Sequence, residues 1–135
     1  MTGCSSSQST KPECKTLNYA INIGSGGGVT GIYTGNYIDS NGIVYKWEGI
    51  VFNKAEKKAI KKLSAEQICK LNDFFIKNKP DTIIYSKSGN LTDYIILENK
   101  DKKISISWVN KFPKDDTPQK ILDLKNYILK IINEQ

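Results

Sequence analysis

Three observations predict an α+β domain. Short runs of alternating apolar and polar residues are punctuated by turn signals, two amphipathic stretches have helical spacing, and the order runs strands, helix, strands, helix. That order implies an antiparallel sheet of about five to six strands in hairpins, with two helices at about 64–78 and 117–133 packed on one face. The 135 residues suit one core that removes roughly two-thirds of the unfolded surface from water. Residues 1–15 read as a flexible tether and residues 16–135 as the single domain. No solenoid-type repeat is present, although both halves share the strands-then-helix order.

From Leu17 to Ile23, Leu17, Tyr19, Ile21 and Ile23 alternate with Asn18 and Asn22, the period of a strand, and Gly24-Ser25-Gly26-Gly27-Gly28 is expected to break it. Thr30 to Asp39 and Ile43 to Phe52 are strand-like, and Ser40-Asn41-Gly42 between them carries the Asn-Gly signal of a type I′ hairpin turn. Lys54 to Leu63 holds five Lys and one Glu; Ala55, Ala59, Ile60 and Leu63 fit either a short helix or a ragged strand. Ser64-Ala65-Glu66-Gln67 spells a capping box, in which the Ser64 hydroxyl accepts from one orphan amide while Gln67 reaches back to the Ser64 amide. Ile68, Leu71, Phe74 and Phe75 form the apolar stripe of that helix, and Pro80 ends it. Thr82 to Lys87, Leu91 to Glu98 and Lys103 to Val109 read as three further strands, with Ile104, Ile106 and Trp108 on a core face. Thr117-Pro118 is a helix start with Pro at the first position, and Ile121, Leu124, Ile128 and Ile132 trace the final amphipathic helix.

Composition narrows the function more by what is missing than by what is present. With no His, the Ser-His and Cys-His nucleophile pairs and the His ligands of most catalytic zinc sites are excluded, and three Cys without CxxC spacing make no metal site. No catalytic residue, cofactor or metal is expected. All 20 cationic side chains are Lys, so the planar fork that reads guanine edges is absent, and the net charge of +6 reads as a solvated Lys-rich face rather than a nucleic-acid footprint. Tyr33, Tyr37, Tyr45 and Trp47 alternate along two hairpin strands and share one sheet face, which reads as core packing; only Lys46 would flank them, and on the other side. Asn90-Leu91-Thr92 is a glycosylation sequon by spelling only.

Gly26-Gly27-Gly28-Val29-Thr30-Gly31 invites a phosphate-loop reading, but the glycines lead into Ile32-Tyr33-Thr34, a strand, where such a loop should open a helix. Two readings stay open: a connection needing positive φ angles, and an exposed loop able to approach another protein closely.

The chain opens Met1-Thr2-Gly3-Cys4-Ser5-Ser6-Ser7, which resembles a bacterial lipobox, and the Ser-rich, Pro-containing run that follows suits a flexible tether. The resemblance implies acyl chains on Cys4 and a place in the cell envelope. Ser5 in place of Asp resembles the pattern of lipoproteins sent to the periplasmic side of an outer membrane. With Cys4 acylated, Cys14 and Cys69 remain as a possible disulfide in an oxidising compartment, or else as an exposed thiol and a small buried hydrophobe.

The stretch Gly27 to Ile32, the hairpin end Gly42-Ile43-Val44-Tyr45-Lys46, the helix end Asp73-Phe74-Phe75 and Thr92-Asp93-Tyr94-Ile95-Ile96 together resemble a group of uncharacterised small envelope lipoproteins. They are similar also to the emfourin inhibitors of thermolysin-like metalloproteases, with an extra Lys-rich segment inserted here. The second resemblance implies a loop that plugs a protease cleft, at Gly27, Gly28, Val29, Thr30 and Gly31. The expectation is a non-catalytic, monomeric, lipid-anchored module that binds another envelope protein, a protease inhibitor and an envelope-structural protein being the alternatives. A binding or inhibitor module calls for an exposed Gly26 to Gly31 loop, a structural protein for an apolar or aromatic surface patch.

Overall fold

The structure, a computed structural model, describes residues 14–27, 31–50, 54–87, 91–109 and 117–134. In chain order the strands are β1 (Ala20–Gly27), β2 (Ile32–Ile38), β3 (Ile43–Gly49), β4 (Glu56–Lys62), β5 (Leu91–Glu98) and β6 (Lys103–Val109). Helix α1 (Ala65–Asn78) lies between β4 and β5, and α2 (Gln119–Asn133) closes the chain. All neighbouring strands pair antiparallel in the order β4-β3-β2-β1-β5-β6, so this is an α+β fold with β1 near the middle of one sheet.

Register assigns the two faces. Ile21 and Ile23 of β1 stand beside Leu97 and Ile95 of β5, which stand beside Ile104 and Ile106 of β6; on the other flank Ile38 and Val44 continue the Ile21 row. These residues share one buried cluster with Ile68, Leu71 and Phe75 of α1 and Ile121, Leu124, Ile128, Ile131 and Ile132 of α2. Both helices therefore cover the same face. Each such aliphatic side chain contributes about 1.5–3 kcal/mol on burial, which outweighs the weak strand propensity of a glycine-rich β1. The helices also touch: Phe74 and Tyr127 stack with ring centroids 4.2 Å apart.

Local chemistry sets the element ends. The capping box at α1 is complete, Ser64 Oγ accepting from Gln67 N at 3.1 Å and Gln67 Oε1 from Ser64 N at 2.9 Å. Lys79, with φ +46°, ends α1 in the left-handed region just before Pro80. Ahead of β1, Cys14 is bonded to Cys69 with their Cα atoms 5.2 Å apart. One turn along α1, Asn72 accepts from Asn18 N and donates to Thr16 O, so α1 grips the approach to the sheet at two points.

Four expectations change and one open choice is settled. The strand read from Leu17 to Ile23 starts later, at Ala20, and runs through Gly24, Ser25 and Gly26 to Gly27, for a reason given below. The segment left open at 54–63 is a strand on the sheet edge, with a register shift opposite Val44 and Tyr45. The strand expected over Thr82–Lys87 is instead a 3-10 turn at Pro80–Thr82 followed by an extended segment that meets β6 through one parallel bridge, Ser86 to Ser107. The hairpin turn is not type I′, because Gly42 has positive φ and Asn41 does not; Gly42 N donates to Asp39 O, while the Asp39 carboxylate accepts from Asn41 N and Ile43 N. This is a type I turn closed by a glycine bulge, and Asp39 makes it work. Helix α2 begins at Gln119 with Pro118 outside it and no side-chain cap.

Candidate interface at the glycine end of the sheet

The face turned away from the helices carries the aromatic residues. Tyr37 pairs with Tyr45, Gly35 with Trp47, and Gly24 with both Gly35 and Tyr94, so these side chains rise from the helix-free side. The sequence rightly places Tyr33, Tyr37, Tyr45 and Trp47 on a common face, but that face is not the core beneath the helices.

Trp47 and Tyr94 lean toward each other across the two glycines. They start on β3 and β5, three strand spacings or about 14 Å apart, yet their ring centroids are 6.3 Å apart. Both donate to one atom: Trp47 Nε1–H and the Tyr94 hydroxyl each reach Asn22 Oδ1 at 3.1 Å. Trp47 and Asn22 are 4% and 6% exposed although no helix covers them. A Cβ on Gly24 would lie 2.9 Å from the Tyr94 hydroxyl and 2.3 Å from Thr34 O, and one on Gly35 2.3 Å from Ile23 O. A Cβ on Gly26 would meet the Tyr33 ring at 2.8 Å. That is why β1 runs through its glycines: they form the floor on which the rings lie. Burial raises the Tyr94 phenol above its usual range, with the nearby Tyr33 adding to it. Tyr37 and Tyr45 are raised as well, by desolvation first and Asp39 second.

The candidate binding stretch lies where these strands stop. Gly26 and Gly27 close β1, Gly27 with φ +97°, and Gly31 at φ +68° precedes β2. A Cβ at Gly31 would meet nothing within 4 Å among the described residues. Gly28, Val29 and Thr30 lie outside the described residues, as does Cys4. Gly27 pairs with Ile32 on one side and Leu91 on the other. Those two apolar side chains, 41% and 51% exposed, flank a glycine gap, with Ile50 at 71% nearby. Ile32, Gly49, Ile50 and Ala55 line a shallow hollow rimmed by Glu48, Lys54 and Glu56. One row further in, Asp93 sits buried at 4% exposure beside Ser25 and Trp108. Lys125 of α2 reaches it at 3.2 Å and lies 5.9 Å from the Trp108 ring centre. This ion pair holds α2 against the strand ends that frame the glycine stretch.

Ile32, Ile50, Leu91, Asp93 and Lys125 were not readable as a group from the sequence, because three strands and a helix bring them together. The one local signal is in Gly31-Ile32 and Asn90-Leu91, where an apolar residue directly follows a turn-forming one. Among the described residues no three His, Cys, Asp or Glu side chains converge as metal ligands, and no helix is long and apolar enough to cross a membrane.

What the fold and site define is a six-stranded α+β domain with an aromatic-capped face and an apolar, glycine-bearing end. No family model, curated protein or solved structure matches the chain.

Proposed function

We propose that this is a non-catalytic protein-binding module, held in the bacterial envelope by acyl chains on Cys4, that engages its partner through the glycine end of the sheet. The observation that carries the reading is the grouping of Ile32, Ile50 and Leu91, at 41%, 71% and 51% exposure, around Gly27 and Gly31. Apolar side chains left in water beside a backbone that lacks side chains favour close approach of another protein surface. The experiment is cross-linked capture from envelope extract by the domain and by Ile50→Ser/Leu91→Ser. A partner held by the parent and lost from the variant supports the reading; equal capture by both rejects it. For the anchor, incorporation of labelled fatty acid should vanish in Cys4→Ala, and equal labelling of the two rejects lipidation.

A second reading, an inhibitor that fills the cleft of a thermolysin-like metalloprotease, is favoured by Gly31, where an added Cβ would meet nothing within 4 Å among the described residues. Titrating such a protease with the domain at micromolar concentration should reduce its activity, and unchanged activity removes this reading.

A further inference from the structure

We propose that the outer edge of β4 is a docking strand for an extended acidic segment of a partner protein, a reading that rests on the protein-binding function above and names the partner's chemistry. Among the described residues β4 is the terminal strand of the sheet, and its residues Glu56 to Ile60 and Lys62 are all exposed. An edge strand offers unsatisfied N–H and C=O groups on one side, a template for one more strand. Its charges choose among strands.

Lys62 stands beside Ile43 on the helix-free side, whereas Lys58 stands directly opposite Lys46 on the helix side. Cationic side chains thus flank the edge on both faces. Like charges held opposite each other are destabilising, and an incoming carboxylate relieves them. Lysines on an edge repel a second copy of the same edge but attract a strand of opposite charge, so they select as well as protect. Lys61 is occupied differently, its ammonium donating to the carbonyls of Ile132 and Glu134 at the end of α2, which ties β4 to the core and keeps the edge in place.

The edge is also continuous with the glycine end. Ala55 and Glu56, at the start of β4, border the hollow that holds Ile32 and Ile50. An acidic strand laid along β4 with an apolar residue at one end fills that hollow.

The test is amide chemical-shift mapping of the full chain titrated with a peptide of alternating Glu and Val about eight residues long, enough to span the edge. Saturable shifts concentrated at residues 56–62 are expected. Binding should weaken at least about tenfold in Lys46→Glu/Lys58→Glu/Lys62→Glu, and as much when alternate peptide nitrogens are methylated, since both pairing and charge are required. Equal binding by the methylated peptide, or by one with Lys in place of Glu, overturns the proposal. So does the absence of β4 shifts at millimolar peptide, including the case where the chain binds anionic vesicles instead. Ile50→Ser/Leu91→Ser should leave most of the β4 shifts in place, which separates failure of this proposal from failure of the loop-end reading.

Discussion

On one side of the sheet nineteen buried residues, nearly all aliphatic, pack under two helices; on the other, Tyr94 and Tyr33 lie over Gly24 and Gly26 and Trp47 leans on Tyr94, with Asn22 accepting from Trp47 and Tyr94. The first face excludes water by adding a layer. The second does so by laying flat side chains in the space that missing Cβ atoms leave. An aliphatic face tolerates exchange among similar volumes, because dispersion and burial are not directional. The aromatic face depends on particular atoms: one amide oxygen, two glycines and the ring geometry.

The sharpest contrast comes from truncating the first face. Ile95, fully buried on β5 between Ile23 and Ile106, should lose about 2–5 kcal/mol as Ile95→Ala in urea unfolding, through lost transfer energy and a cavity that α1 and α2 cannot close. The indole N–H proton shift of Trp47, held on Asn22, should stay native, since that ring is on the other side. Next comes the covalent tie on the helix side. Cys14 and Cys69 are 55 residues apart, and reducing the bond should cost about 2–4 kcal/mol, read as a drop in Tm with added reductant and reproduced by Cys69→Ser. The loss should leave the Trp47 environment untouched; a change in its indole N–H proton shift would show that the faces are not independent.

The helix side was legible in the sequence and the other was not, for a physical reason. Period-3.6 stripes such as Ile121, Leu124 and Ile128, and alternation such as Ile104, Ile106 and Trp108, write burial directly into the chain, and the fold class follows from them. Gly24 and Gly26 carry the opposite message locally. Glycine weakens a strand, so they read as a break in β1, and only the close backbone of β2 and the rings of Tyr33 and Tyr94 make a glycine the residue that fits. The glycine end suffers the same difficulty: Gly26, Gly27 and Gly31 were identifiable as a stretch to examine, whereas Ile32, Ile50 and Leu91 acquire meaning from the pairing of Gly27 with two strands. Lys54 to Leu63 stayed ambiguous because an edge strand needs no apolar alternation.

Two changes test whether the aromatic side is a second core or a decoration. Gly35→Val places a branched side chain where even a Cβ lies 2.3 Å from Ile23 O, and should cost about 1–3 kcal/mol while displacing Trp47, seen as a red-shifted emission. Asn22→Leu keeps the volume but removes the acceptor of Trp47 Nε1 and the Tyr94 hydroxyl; losing a buried partner should cost about 1–3 kcal/mol in urea. If either variant keeps parental stability, the aromatic cap contributes nothing to folding and the surface is free for binding.

The smallest effect is the most diagnostic, because it isolates one oxygen. Burial raises the Tyr94 phenol above its ordinary value, so the folded state holds that proton more tightly than the unfolded chain does. Below about pH 10, the usual tyrosine value, both states are protonated and the contribution is complete. As pH climbs past that point the unfolded phenol ionises first, the folded one does not, and stability falls. Tyr94→Phe should lose about 1 kcal/mol at pH 7 with the hydrogen bond to Asn22, and then show a shallower alkaline decline than the parent. The difference between the two curves is the readout, since Tyr37 and Tyr45 are present in both. Parallel curves up to pH 11 would mean that the Tyr94 hydroxyl meets water freely, and that the cap over Gly24 opens on its own.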